Sequence, residues 1–359
     1  MIALERAPTP YDDRIFGPAW RAWRDPAVPA RLVPSEMVLN PAQGERAALI
    51  VDGVAVSHAA LHGMVQRLAA GLARLGCAPE SRLLFFATDS LEYVATWLAA
   101  VQAGMVPAVV SDLYKAPALL YFLRDTACAT LFLDAEQVEK LQAVASDLPD
   151  GLQTVLLRGD ADLDLPGRRV VRLPDLPGDG PAPRHVRHAN DVTYMFYSGG
   201  TTGTAKGITH LAHDFVLVPA RQGSFWNYGP RDVVYATSRK YFTHGLWPGL
   251  LIPLAHGATS VLHRALPRPD LVLDTLARHG VSKLISVPTV LRGLLDVAEA
   301  PALPELGLVI SASEKIPPDL FARFAARFGV EILDSIGSSE ITYEWLATRP
   351  AAARRGSLG

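Results

Sequence analysis

Residues 197–207 read Tyr-Ser-Gly-Gly-Thr-Thr-Gly-Thr-Ala-Lys-Gly. Seven consecutive positions, Ser198, Gly199, Gly200, Thr201, Thr202, Gly203 and Thr204, hold three glycines and four hydroxyls, and Lys206 follows in a Lys-poor chain. Glycines let backbone N–H groups approach an anion, hydroxyls add donors, and Lys supplies a mobile point charge. The combination suits a polyphosphate cradle, although on composition alone an ordinary Gly/Thr turn stays open. The Walker A order is excluded, because Ala205 and Gly207 stand where that loop needs Gly before the Lys and Ser or Thr after it.

Other chemistry-bearing residues are weaker signals. His58 and His62 are four apart on a predicted helix, but the Glu of H-E-x-x-H and a third ligand are missing, so a solvated helix face is expected. His210 and His213 flank the start of the helix after the Gly/Thr loop, within range of a substrate role. Cys77 and Cys128 form no Cys-x-x-Cys and read as reduced core or near-surface thiols.

The elements that must position the loop alternate between strands and helices. Strands are predicted at 47–51, 82–86, 106–110 and 130–133, with helices at 57–75, 91–103 and 117–126. In the helix 57–75, Leu61, Val65, Leu68 and Leu72 recur at three- and four-residue steps, Ser57 is a plausible N-cap and Gly76 a stop. Residues 159–190, with prolines at 166, 174, 177, 181 and 183, read as a surface connector. Alternation resumes with the strand DVTYMFYS from Asp191, the Gly/Thr loop, a helix around 213–221 and a strand at 233–237. Strand–helix pairs follow at 259–262 with 269–279, 282–286 with 289–297, and 308–311 with 318–328. Apolar strands joined by helices predict an α/β fold of two packed subdomains with mostly parallel, helix-covered sheets. The expected division is an N-terminal arm (1–38), a first subdomain (39–185) and a second (186–359).

Composition bounds the function. The chain has 359 residues, 49% apolar and 19% charged, with 28 Gly and 28 Pro, and a formal charge of −2. It is a globular chain without the basic footprint of a dedicated nucleic-acid binder or a membrane-surface protein. The apolar stretch 93–110 is interrupted by Gln102, Gly104 and Pro107, which suits a buried helix, turn and strand better than a membrane span. The start, MIALERAPTPYDD, has no apolar run of a secretory leader, so a cytoplasmic location is expected.

The loop 197–207 resembles the phosphate-binding signature of the adenylate-forming superfamily (acyl-CoA synthetases, luciferases, peptide-synthetase adenylation domains), [YF]-[ST]-S-G-[ST]-T-G-x-P-K-G. Gly199 replaces its second Ser and Ala205 its Pro. Two further segments match in order. Ser311-Ala312-Ser313-Glu314-Lys315-Ile316-Pro317 is similar to S-A-G-E-x-L-P, which in aryl-CoA ligases passes beside the adenine. Asp334-Ser335-Ile336-Gly337-Ser338-Ser339-Glu340 is similar to D-x-[IY]-G-[SA]-[ST]-E, whose hydroxyl meets the α-phosphate and whose Glu holds Mg²⁺. The resemblance implies that residues 198–204 and 206 bind nucleotide with Ser313, Glu314, Lys315, Asp334, Ser335, Ile336, Gly337 and Ser339. Thr201, Lys206 and Glu340 carry the catalysis, and Glu340 is the metal ligand. A hard cation bridging phosphates takes only one or two protein carboxylates.

From about residue 38 onward the chain resembles benzoate- and hydroxybenzoate-CoA ligases, which implies ATP, Mg²⁺ and coenzyme A as cofactors and an aromatic carboxylic acid as substrate. Phe242, Thr243, His244, Gly245, Trp247, Val287, Pro288 and Ile336 are then expected to line the acid. Thr243 stands where amino-acid-activating relatives carry Asp, so an α-ammonium would be unpaired there. His244 is open between an acid contact and a packed structural histidine. Arg354 and Arg355 resemble the R-x-G segment. Full-length relatives continue past the matching Gly into pieces bearing a ribose-binding Asp and a catalytic Lys, so a chain ending at Gly359 is expected to lack both. A carrier-protein thiol in place of coenzyme A, a non-catalytic nucleotide or acid binder, and a homodimer stay open as alternatives.

Overall fold

The computed structural model describes residues 26–199 and 203–348. Gly200, Thr201 and Thr202, Arg354 and Arg355, and residues 1–25 of the arm lie outside them. Two mostly parallel sheets form from the apolar runs. The first has the spatial order Lys206–Leu211, Val192–Ser198, Val106–Val109, Arg82–Phe86, Thr130–Asp134, Thr154–Arg158, Arg169–Arg172. The second runs Glu344–Ala347, Ile332–Gly337, Leu308–Ser311, Lys283–Ser286, Val233–Ala236, Thr259–Leu262, Ala47–Val51, Val54–Ser57. Antiparallel pairs sit at the edges, Lys206–Leu211 on Val192–Ser198, Glu344–Ala347 on Ile332–Gly337 and Val54–Ser57 on Ala47–Val51. Strands such as Leu83–Phe86 are buried on both faces, as parallel strands covered by helices must be. Each sheet draws strands from both sides of residue 185: Ala47–Ser57 joins the second sheet and Val192–Leu211 the first.

The sheets meet around the helix Leu91–Gln102, whose residues Tyr93 to Gln102 are all buried. A helix apolar on every side has to be enclosed. It shares one cluster with Phe85 and Val109 of the first sheet and Ile285 and Leu333 of the second. Trp97 stacks on Phe215 with ring centroids 6.1 Å apart and meets Tyr194 edge-on; burying each such ring contributes about 2–3 kcal/mol. The stretch 93–110 resolves into this helix, a turn and the strand Val106–Val109. Gly104 makes the turn at φ +85°, where a Cβ would also lie 2.5 Å from the His185 ring. Among the described residues no helix is long and apolar enough to cross a membrane.

Three expectations are corrected and one unassigned stretch is filled. The Gly/Thr loop leads first into the strand Lys206–Leu211 rather than directly into a helix; its residues, only His210 of them buried, lack the apolar alternation that reads as strand. The connector 159–190 contains the strand Arg169–Arg172, paired parallel to Thr154–Arg158. The unassigned stretch 243–255 is helical, with a π turn at Trp247–Leu251, although Gly245, Pro248, Gly249 and Pro253 punctuate it. His58 is buried rather than solvated, close to the backbone of Gly257 and Ala258, whereas half-buried His62 bonds Gln66.

The strand Arg187–His188 pairs with Arg31–Leu32 of the arm. Arg187, 1% exposed, donates to the carbonyls of Gly104, Met105 and Val192 and so ties the turn before one strand to the start of its neighbour. Arg187→Met leaves these three carbonyls without the guanidinium and should destabilise the fold by about 2–4 kcal/mol. Denaturant midpoints check this; a loss below about 1 kcal/mol would show that the carbonyls re-pair.

Candidate functional site

Val233–Ala236, Lys283–Ser286, Leu308–Ser311 and Ile332–Gly337 are successive parallel neighbours. The segments that follow them, 237–243, 287–288, 312–317 and 338–342, therefore emerge at one edge of the sheet. Such an edge is where open α/β sheets bind ligands. The sequence motifs converge because topology stacks their parent strands, not because they are close in sequence.

The Gly/Thr loop closes a hairpin whose last described ladder pair is Ser198 opposite Lys206. Gly199, Gly203, Thr204 and Lys206 are exposed, Ser198 is half-buried, and Gly203 sits at φ +93°. Tyr121 Oη donates to the Ala205 carbonyl at 2.6 Å and Tyr197 Oη to Asp125 at 2.6 Å. Both limbs of the loop are thus pinned to the helix Ala116–Asp125. Donors and a cation on a loop held at both ends are prepared for an anion at low ordering cost.

Glu340 lies in the 3-10 turn Ser339–Ile341, exposed and without an ion pair to any described residue. Thr342, at φ +75°, ends the turn and donates to buried Asp214 at 3.1 Å. Asp214 also accepts from Tyr194 Oη at 2.9 Å, with His210 Nδ1 at 3.2 Å from the same oxygen and His213 Nε2 at 3.4 Å from the other. His210 stacks on Tyr194. The network joins the hairpin behind the Gly/Thr loop to the turn bearing Glu340. His210 and His213 are placed as supports within it, and Asp214 gave no signal in the sequence.

Ser313, Glu314 and Lys315 are exposed just past Leu308–Ser311. Ser313 adopts φ +77°, a left-handed conformation that explains the Gly of the related pattern. Glu314 accepts from Thr289 Oγ1 at 3.0 Å. Asp334 is half-buried with its carboxyl pushed up by burial, Ser335 is buried, Ile336 and Gly337 are exposed, and Ser339 is half-buried.

Of the acid-pocket residues, Phe242 and Ile336 are exposed, Val287 is half-buried, and Thr243, His244, Gly245 and Pro288 are buried. Gly245 is required by close approach: a Cβ there would lie 2.1 Å from the Arg239 carbonyl. His244 Nε2 is 3.0 Å from the Ser286 carbonyl, which joins two of the expected wall segments. Burial holds its pKa down at about 4, so the ring is neutral near pH 7. Trp247 departs from the expected wall position. Its ring is fully enclosed against Phe215 and donates to Tyr194 Oη at 3.2 Å, because the helical stretch 243–255 turns it into the core.

Two further buried ionisable groups stand behind this edge. Lys240, 1% exposed, has Nζ 3.7 Å from Asp89, which also accepts from the Lys240 N–H; the pair clamps the strand ends of the two sheets. Glu344 is buried with its carboxyl pushed up to about 7 by desolvation. A lone Glu in the strand Glu344–Ala347 gave no prior indication of this. Cys77 is half-buried and Cys128 buried, both free, with burial raising each thiol's pKa, that of Cys128 to about 11. Neither belongs to the site. Among the described residues no three His, Cys, Asp or Glu side chains cluster to hold a metal, so a cation at Glu340 would take its other oxygens from a ligand and water.

A family model described as AMP-binding enzyme matches residues 40–359. The chain is 31% identical over 320 residues to a 4-hydroxybenzoate–CoA/benzoate–CoA ligase of Rhodopseudomonas palustris, covering 88% of this chain and 59% of that protein. A 3-hydroxybenzoate–CoA/4-hydroxybenzoate–CoA ligase of Thauera aromatica is 33% identical, with 88% and 60% covered. The crystal structure of the anthranilate CoA ligase AuaEII in complex with anthranoyl-AMP superposes with a TM-score of 0.84 at 25% identity, over 92% of this chain and 64% of that one. The chain thus spans about three fifths of the length of the curated relatives it matches.

Proposed function

The chain belongs to the AMP-binding enzyme family, and from that premise we propose that it supplies the nucleotide and acid sites of an ATP-dependent aryl-acid:CoA ligase. The observation that carries this reading is the hydrogen-bonded tie, through Thr342, Asp214 and His210, between the Gly/Thr hairpin and the Glu340 turn. A phosphate cradle and a metal-binding carboxylate have to be held together for one polyphosphate.

In the first step a carboxylate oxygen of the acid attacks the α-phosphorus of ATP in line; the bond to the bridging oxygen breaks, pyrophosphate leaves and acyl-AMP forms. Lys206 and the loop hydroxyls, Thr201 and Thr202 included, neutralise charge on the departing pyrophosphate, and the backbone around Gly199 and Gly203 orients it. Glu340 would hold Mg²⁺, which when bound withdraws charge from the phosphate oxygens. Residues 313–315 face the adenine and Ser339 the α-phosphate. In the second step a thiol sulfur attacks the acyl carbon, the carbon–oxygen bond to AMP breaks, and the thiol proton is released to solvent. The relatives' names support coenzyme A as the acceptor; the phosphopantetheine of a carrier protein uses the same sulfur chemistry. Thr243, Val287, Pro288, Phe242 and Ile336 offer an apolar wall to an aromatic ring, and neutral His244 adds no charge there.

Glu340→Gln provides the test. Mg²⁺ should tighten ATP binding at least about tenfold in the parent and by less than about twofold in the variant, with folding unchanged because Glu340 is exposed. Calorimetric titration with and without Mg²⁺ reads both; equal ATP affinity in all four titrations overturns the metal role. ATP–pyrophosphate exchange dependent on benzoate or hydroxybenzoates, measured on the full-length gene product, separates a ligase from a nucleotide binder without turnover.

A further inference from the structure

Ala205 departs from the related phosphate-loop pattern at the position where residue type restrains the backbone. Proline there would hold φ at about −65° and remove one N–H. Alanine leaves the backbone free, and Gly199, Gly200 and Gly203 add freedom of their own, so this loop has more conformations to give up before it can hold an anion. The ladder does not restrain Ala205 either. Its last described pair is Ser198 opposite Lys206, which leaves Ala205 one residue outside the strand Lys206–Leu211.

Tyr121 supplies the restraint from elsewhere. Its Oη donates to the Ala205 carbonyl at 2.6 Å. That carbonyl and the Lys206 N–H belong to one planar peptide unit, so the bond fixes the plane from which Lys206 departs. Ala205 is half-buried and packs against the cluster that contains Phe86, Phe122 and Leu123. The helix Ala116–Asp125 is anchored there by buried Leu119, Phe122 and Leu123. Tyr121 and Asp125 lie four residues apart on the helix face that meets the hairpin. Phe122 sits against both phenol rings, its centroid 5.3 Å from that of Tyr121 and 4.8 Å from that of Tyr197. Asp125 accepts from Tyr197 and also neighbours the Tyr121 hydroxyl, whose single proton is directed at Ala205. The two restraints are separable. Tyr197 lies within a strand that ladder pairing already fixes, whereas the Tyr121 bond holds a residue beyond the ladder.

Resting on the nucleotide site read above, we propose that Tyr121 is a positioning residue that takes the place of the missing proline: its hydrogen bond fixes the peptide before Lys206 and presets the phosphate loop without touching the nucleotide. A loop already held in its binding form gives up less freedom when the anion arrives, and affinity rises by that difference. A proline restored at 205 makes the hydrogen bond redundant.

The test is a double-mutant cycle. Dissociation constants for ATP with Mg²⁺ are measured by calorimetry for the parent, Tyr121→Phe, Ala205→Pro and the two combined, and for Tyr197→Phe with and without Ala205→Pro. Tyr121→Phe keeps the ring against Phe122, loses the proton and should weaken binding at least about threefold. Ala205→Pro alone should stay within about twofold of the parent, and the combined variant should return to within about twofold of it. The same proline should leave whatever loss Tyr197→Phe causes, because it stiffens only the other limb. A loss below about threefold in Tyr121→Phe overturns the positioning role. Failure of proline to restore the combined variant, or weakened binding in Ala205→Pro alone, overturns the equivalence with proline. Equal restoration of the Tyr121 and Tyr197 variants assigns the rescue to general stiffening and overturns it as well. A parent that binds no ATP overturns the positioning role together with the nucleotide reading.

Discussion

Asp214→Ala should lower stability by about 3–5 kcal/mol and weaken Mg²⁺-dependent ATP binding about tenfold, although Asp214 is not expected to touch the nucleotide. One buried oxygen receives hydrogen bonds from Tyr194 and Thr342 and lies within 3.2 Å of His210. Tyr194 in turn accepts from Trp247, so the chain of bonds runs from the core to the turn that bears Glu340. Removing the carboxylate strips several buried donors of their acceptor at once. It also releases the Thr342 turn at φ +75°, a conformation that a β-branched residue adopts only when held. Asp214→Asn keeps one acceptor and should fall between the two. Denaturant midpoints and ATP titrations read the two effects; a stability loss under about 1 kcal/mol, with ATP affinity intact, would sink the positioning role.

The second large effect concerns pH. In the folded chain burial puts His244 at about 4 and Glu344 at about 7, against ordinary values of 6.5 and 4.5. Between pH 4.5 and 6.5 the unfolded pair carries its one proton on His244, and the folded pair carries one on Glu344. Proton uptake is equal, so the pair adds no slope in that window. The single variants uncouple it. In Glu344→Gln only the depressed His244 remains; its contribution is present above pH 6.5 and lost as pH falls toward 4, by roughly 3 kcal/mol. In His244→Gln only the raised Glu344 remains, present below pH 4.5 and lost as pH rises through 7, by a similar amount of roughly 3 kcal/mol. Denaturant midpoints from pH 4 to 7.5 should therefore slope in opposite directions in the two variants, relative to a parent that shares every other titrating group. Parallel profiles in all three proteins would refute the buried neutral pair.

Much of this arrangement was legible in the residues. Apolar runs such as Arg82–Phe86 and Leu308–Ser311, separated by helical periodicity, became parallel strands covered by helices on both faces. The Gly/Thr loop drew notice by composition, and Glu340 by the Gly-Ser-Ser before it, but their roles came from the resemblance. Elements whose local pattern is not apolar were missed. Lys206–Leu211 is an edge strand with half its residues exposed, and 243–255 is helical despite two prolines, each tolerated at the first positions of a new turn. His58 was misread because a helix N-terminus docked on Gly257 and Ala258 is covered by residues two hundred positions away.

Residue types and order alone determined the α/β class, and they put the glycines, hydroxyls and lysine of the proposed cradle at 198–206 and a carboxylate at 340, because these depend on local chemistry and on patterns repeated within a few residues. Only the tertiary structure decided what stands behind them. It brings Asp214 against Thr342, encloses Trp247, and sets Trp226 beside the adjacent pair Tyr343 and Glu344 in one buried polar group. The physical reason is desolvation: a Glu or an Asp is unremarkable in a sequence until the fold removes its water, and which residue loses its water is settled by strand order across the sheet.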